Sequence, residues 1–223
     1  METFVPPSRD AFSLALGALR QRLRQARDAP GEALPIQTIA QELRLSPTPV
    51  REALSRLAGE DLVDKRGPTY TRPRLDAPTL VELYRLRLTC LNLALSARGE
   101  GLAAPRRFGA RTASSLLPAL TDPGQSPAGL AEGLWLDIVL RAQDLILAQT
   151  CQRLSERLAP FNAVEDRLFE DGRGETMALA HAFEADASGE LRRLARAHHR
   201  RRMAAAPAII ALAGGAEYRT NIV

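Results

Sequence analysis

One residue type is nearly missing from this 223-residue chain: Lys65 is its single lysine, so arginine carries almost all of the positive charge. Cysteine is scarce too, with Cys90 and Cys151 standing 61 positions apart. That spacing is not that of a cysteine metal motif, and two such cysteines read as buried free thiols in a reducing cytoplasm in preference to a disulfide or a nucleophile. No apolar run reaches the roughly 18 residues of a membrane helix. The N-terminus lacks the basic-then-apolar pattern of a secretory signal. A soluble, cytoplasmic protein with no membrane association is therefore expected. No nucleophile–base pair, phosphate loop or paired-carboxylate motif stands out, so no enzyme is expected. Internal repeats are absent.

What is present suggests two modest domains. Hydrophobic residues make up 45% of the chain, enough for real cores, and the net charge is +4. The basic excess leans toward the first 75 residues, which hold twelve basic and nine acidic side chains. An excess that mild suits selective nucleic-acid binding helped by phosphate contacts, and not a purely electrostatic coat.

The most informative stretch is Leu34–Thr71, centred on Ser46-Pro47-Thr48-Pro49-Val50-Arg51-Glu52-Ala53-Leu54. At about 100° per residue, Val50, Ala53, Leu54 and Leu57 share one side of a helix, and Thr48, Arg51 and Ser55 take the other. The apolar side can pack on Ile36, Ile39, Ala40 and Leu43 of a preceding helix. The polar side leaves hydroxyls and a guanidinium for phosphates or base edges. Ser46 suits an N-cap, and Pro47 and Pro49 suit a helix start, where a missing N–H costs nothing. Downstream, Leu62–Thr71 reads as two short strands around Arg66-Gly67-Pro68, with Arg66 at a tip that commonly meets the sugar-phosphate backbone. A helix pair followed by a small hairpin is a winged helix-turn-helix, which places its second helix in the major groove of DNA.

The run Leu34-Pro35, Ile39-Ala40-Gln41-Glu42-Leu43, Ser46 to Leu54, Leu57 and Leu62-Val63 resembles the DNA-binding domain of GntR-type regulators over roughly 60 residues. The resemblance implies that Thr48 and Arg51 contact operator DNA and that Gly67 is the wing glycine. Ser46, Thr48, Arg51, Ser55, Arg66 and Gly67 are the candidate contacts. The chain departs from the family pattern at Thr38, at Pro47 in place of an arginine, and at Arg44 in place of a turn glycine. A side chain in a left-handed turn costs on the order of 1 kcal/mol, so Arg44 implies a slightly altered turn.

The rest reads as helices only. A first helix is expected over Arg9–Arg27, with Phe12, Leu16, Leu19 and Leu23 as its stripe. Pro73 to Pro78 marks a boundary, giving a winged domain over 1–74 and an all-helical bundle over 75–223. In the bundle, helices are expected over Thr79–Arg98, Pro105–Leu120, Ala128–Thr150, Cys151–Glu170, Glu175–Ala187 and Gly189–Ala206. Leu83, Leu86, Leu93 and Ala97 are apolar positions of the first of these. Trp135, Phe161, Phe169 and Phe183 read as core or interface anchors, His181 as a core histidine, and Arg200-Arg201-Arg202 as a solvated helix end.

An all-helical second domain, with Tyr84-Arg85-Leu86-Arg87 at its start, narrows the resemblance to the FadR-like branch. That branch implies a homodimer, a short palindromic operator and a small carboxylate effector in the helical domain, most often with a repressor role. Many members also hold a divalent metal through an Asp, a His four residues on, and two later His. Here those positions are Asp137, Arg141, Thr176 and His198, so two of the four ligands survive and no metal is expected. Asp at i and Arg at i+4 face each other on a helix. Arg141 is thus a candidate carboxylate anchor, with Asp137, His198 and Arg87 beside it. The alternative is a ligand-independent dimeric regulator whose sensor has lost both metal and effector.

Overall fold

The computed structural model describes residues 8–97 and 116–214. The chain divides into two compact units, the first reaching Leu75 and the second spanning Asp76–Ala213. Each is taken by itself.

In the first unit, α1 (Ser8–Arg24), α2 (Ile36–Leu43) and α3 (Pro47–Ala58) precede the strands β1 (Asp64–Arg66) and β2 (Thr69–Thr71). The buried stripe of α1 is Ala11, Ala15, Leu19 and Leu23, spaced four apart; Phe12 and Leu16 only flank it. This helix stops three residues earlier than expected, because Ala26 turns left-handed at φ 50°. The four apolar positions of α3, Val50, Ala53, Leu54 and Leu57, are fully enclosed and share one core with Ile39 and Ala40. Losing one such leucine to alanine costs about 2–5 kcal/mol.

The turn between α2 and α3 corrects one expectation. Arg44 does not alter the turn: it adopts the left-handed conformation itself, at φ 55° and ψ 40°. Its N–H bonds to the carbonyl of Gln41 at 3.1 Å, and the N–H of Leu45 bonds to that of Ala40 at 2.9 Å. These two bonds are the Schellman motif, with Leu45 and Ala40 meeting in the core beneath it. The motif is complete without a glycine.

The wing pairs Asp64 with Thr71, Lys65 with Tyr70 and Arg66 with Thr69. That register leaves a two-residue loop, Gly67-Pro68. Gly67 has φ 59° and Pro68 is locked at negative φ, which together define a II′ turn. The segment before α2 adds a third edge that the sequence did not announce. Ala33 bridges Thr71, and Leu34 N–H donates to the Tyr70 carbonyl at 2.8 Å.

The second unit is helical throughout its described residues: α4 (Ala77–Ala97), α5 (Leu116–Thr121), α6 (Pro127–Leu140), α7 (Leu145–Leu158), α8 (Asn162–Leu168), α9 (Gly172–Glu184) and α10 (Ser188–Ala213). Helix α4 is capped by Asp76, whose carboxylate accepts from Thr79 N–H at 2.8 Å, so Pro78 belongs to its first turn. Its buried face carries Leu80, Leu83, Tyr84, Leu91, Ala94 and Leu95. Leu86 and Leu93, two of the apolar positions read from the sequence, are 47% and 57% exposed. Leucines occupy both sides of α4, so apolarity alone could not choose the inner one. The expected helix from Pro105 lies outside the described residues as far as 115, and so does the Ala97 side chain.

Further along, the expected segmentation fails at three joints: α7 runs unbroken through the expected boundary between Thr150 and Cys151, and both expected helices break elsewhere. The stretch from Ala128 to Thr150 breaks between α6 and α7, where Gln143 turns left-handed at φ 58° and Asp144 caps α7 by accepting from Leu147 N–H. The stretch from Cys151 to Glu170 breaks at a short 3₁₀ turn, Ala159–Phe161, built on Pro160. Conversely, α9 takes in Gly172 and Gly174, and α10 continues past Pro207, whose ring faces solvent.

Candidate nucleic-acid interface and an interior polar cluster

The outer side of α3 presents Thr48, Arg51 and Ser55, all exposed, with Glu52 and Arg56 beside them. Arg56 is held by Glu60, with Nε donating to Oε1 at 2.6 Å. Ser46 stands at the N-cap with extended backbone but makes no capping hydrogen bond. Part of the reason lies in the sequence: of the two capping donors, N3 is Pro49, which has no N–H, and only Thr48 at N2 has one to offer. Its hydroxyl therefore remains on the surface beside Thr48. Arg66 is exposed at the last position of β1. A Cβ on Gly67 would touch nothing, so glycine serves the turn's φ and not a close approach. All six candidate contacts thus lie on the surface of one unit, on the recognition helix, its cap and the wing.

The second site is interior. Tyr84 on α4 donates its hydroxyl to Glu165 Oε1 at 2.5 Å, and Arg202 Nε donates to Glu165 Oε2 at 2.7 Å. Arg202 Nη1 donates to Glu175 Oε2, also at 2.7 Å. Arg202 is only 2% exposed. His199 donates from Nδ1 to the Ala195 carbonyl at 2.7 Å, because a carbonyl can only accept. Its Nε2 is then free to accept from Arg87 Nε, 3.1 Å away. This tautomer requires a neutral ring, and burial together with the Arg87 charge holds the His199 pKa well below the usual value. Burial, then Arg202 and Arg87, do the same to His198. The His198 Nδ1 lies 3.4 Å from Glu175 Oε2 without the alignment of a hydrogen bond. Trp135 packs on both imidazoles, with centroids 5.0 and 5.2 Å away.

Of the expected effector residues, the fold brings Arg87 and His198 into this cluster. Asp137 is buried on α6. Arg141 ends α6 and lays its guanidinium over the Phe183 ring, 3.6 Å from the centroid. It lies six residues beyond Trp135, about 9 Å along a helix axis. Arg202, Glu165, Glu175, Tyr84 and His199 were not foreseen. The arginine triplet is not a solvated helix end: Arg200 is exposed, Arg201 pairs with Asp171 over the Phe169 ring, and Arg202 is interior. A signal existed, since Leu191, Ala195, His198, Arg202, Ala206 and Ile209 continue one three-four spacing. His181, expected in the core, is exposed on α9.

The residues at the metal positions do not fit a divalent ion. Thr176 directs its hydroxyl to the Gly172 carbonyl at 2.9 Å, and the Arg202 guanidinium stands beside Glu175. Among the described residues no three His, Cys, Asp or Glu side chains converge.

A buried helix pair, an exposed polar recognition helix and a β-wing define a DNA-binding winged helix-turn-helix of the kind used by transcription regulators. Residues 15–68 match the family of bacterial regulatory proteins called the gntR family, so this domain is a GntR-family DNA-binding domain. No curated protein matches the chain in sequence. Among solved structures, E. coli McbR/YncC is similar at TM-score 0.67 and 20% identity, covering 88% of this chain and 96% of that one. A GntR regulator from Rhodococcus sp. RHA1 is similar at TM-score 0.67 and 16% identity, covering 87% and 96%. At these identities the likeness establishes a shared fold, and it extends across both units.

Proposed function

We propose that the chain is a homodimeric transcription repressor whose grip on a short palindromic operator responds to a small organic anion bound in its helical unit. The observation that carries this reading is Arg87. It is 4% exposed, and its contacts are the neutral His199 ring nitrogen and the Tyr84 ring, with no carboxylate among the described residues. A buried guanidinium without a counter-ion is costly, and an incoming carboxylate offers it two strong acceptors. His198 and His199 stay neutral and cannot compete for that anion, while Arg202 is already committed to Glu165 and Glu175. Arg141, at the C-cap of α6, is a second candidate anchor. The exposed Leu86 and Leu93, seven residues apart on α4, suit burial against a second copy. Two-fold protein symmetry then calls for two-fold operator symmetry. Among the described residues, no helix is long and apolar enough to cross a membrane.

One observation favours the ligand-independent alternative: in the chain Tyr84–Glu165–Arg202–Glu175 each carboxylate already has the Arg202 guanidinium as its partner, without a ligand. Thermal scanning of metal-stripped protein against a panel of small mono- and dicarboxylates separates the two. An acid at 100 times its dissociation constant adds about 2.7 kcal/mol, or roughly 5–10 °C for a chain of this size. The expected shift disappears in Arg87→Gln. Silence across the panel, or a shift that survives that substitution, overturns the anion reading.

A further inference from the structure

We infer that Arg44 is a DNA phosphate contact, forming with Arg51 and Arg66 a three-point cationic grip that spans the turn, the recognition helix and the wing. The inference starts from what the other basic side chains of the first unit do. Arg20 pairs with Glu60, Arg22 with Asp28 and Glu42, and Arg56 with Glu60. Arg27 bonds to Gln25, Arg72 and Arg74 bond to main-chain carbonyls, and Lys65 lies over the Tyr70 ring. Arg24 is also engaged. Among the described residues of this unit, Arg44, Arg51 and Arg66 are left with no ion pair, hydrogen bond or ring contact. All three are exposed.

Two of these stand where a major-groove reader meets DNA, on the outer face of α3 and at the wing. The third stands two residues before Ser46, the N-cap of that same helix. A chain entering a recognition helix at its N-cap runs close to the groove edge, where the phosphates lie. Arg44 also holds a left-handed backbone that a glycine would adopt without strain. The Schellman bonds it closes are made by backbone N–H groups and need no arginine. Its guanidinium therefore does nothing within the described fold, at a position where it strains the backbone. Left-handed geometry is not the argument by itself, since Ala26, Asp61, Gln143 and Asp186 share it. The argument is an unengaged cation at a strained position beside the reading helix.

The test compares Arg44→Gly, Arg44→Lys, Arg51→Ala and Arg27→Ala in the full chain. A mixed-sequence duplex of about 30 base pairs serves as the probe, titrated across a salt series. Each phosphate contact contributes about 0.9 to the slope of log affinity against log salt. Arg44→Gly is expected to lower that slope by about 0.9 per bound chain and to weaken binding several-fold at low salt. The same variant is expected to raise the melting temperature by about 2–4 °C as the strain is relieved. Arg44→Lys keeps the slope, and Arg27→Ala, which removes an equal charge from an engaged side chain, also keeps it. An Arg44→Gly protein with the wild-type slope overturns the role of Arg44. If Arg51→Ala meanwhile loses binding, the DNA-binding reading stands; a wild-type chain with no salt-dependent binding overturns both.

Discussion

The two units place their candidate functional side chains in opposite ways. The first builds a core of aliphatic residues and one tyrosine, and sends Thr48, Arg51 and Ser55 outward from the back of fully buried positions. The second draws polar groups inward, enclosing Arg87, Glu165, His198, His199 and Arg202 around Trp135. In the first, a functional side chain can change without disturbing the fold. In the second, the residues proposed to recognise an anion also hold the interior together, so an altered interior charge is felt throughout the unit. The lesson is about coupling: a surface reader is free to vary its contacts, whereas an interior sensor must be satisfied in every state it occupies.

The largest expected effect tests that contrast directly. Arg202→Ala leaves Glu165 buried beside the Tyr84 hydroxyl without its cation, and breaking a buried pair typically costs about 3–5 kcal/mol. Arg51→Ala, with no partner to lose, is expected to stay within about 0.5 kcal/mol of wild type. Urea unfolding followed by circular dichroism measures both; equal costs would erase the distinction. A middling effect should appear with pH. Both interior histidines have pKa values held below the unfolded value of about 6.5, so the unfolded chain takes up protons first. Stability is therefore fully present above that value and falls as pH drops through it, by about 1.4 kcal/mol per pH unit for each histidine. His199→Gln should halve that slope. The first unit contains no histidine and contributes nothing to it; a profile flat between pH 7 and 5 would contradict the neutral, buried imidazoles. The smallest effect concerns Ser46. An N-cap serine usually contributes about 1 kcal/mol, but here no capping bond forms, so Ser46→Ala is expected to change stability by less than about 0.5 kcal/mol. A full capping loss would place the hydroxyl in the fold and not at the DNA.

The same contrast decides how far the sequence could be read. The winged unit was legible because helical period alone separates Val50, Ala53, Leu54 and Leu57 from Thr48, Arg51 and Ser55, and because Gly-Pro can form only a few turns. The helical unit resisted for physical reasons. Helix α4 carries leucines on both sides, so period could not choose the inner face. The joint between α6 and α7 has no proline or glycine; Gln143 supplies the turn by taking a left-handed backbone that its side chain does not advertise. Arg202 was hidden by its neighbours, since three consecutive arginines look like a solvated run until the stripe from Leu191 is counted through them. The interior cluster joins residues from α4, α6, α8, α9 and α10, and no local pattern encodes an assembly of that kind.

The single lysine has a consequence of its own. Lys65 is exposed on β1, one residue from the wing tip. Lys65 is the single side-chain amine that an acylating reagent can modify, a free N-terminal amine aside, and its modification cancels one positive charge on the wing while every arginine keeps its own. A fluorophore coupled there would sit at the DNA-facing edge of the first unit, giving a local report of duplex engagement from unaltered sequence.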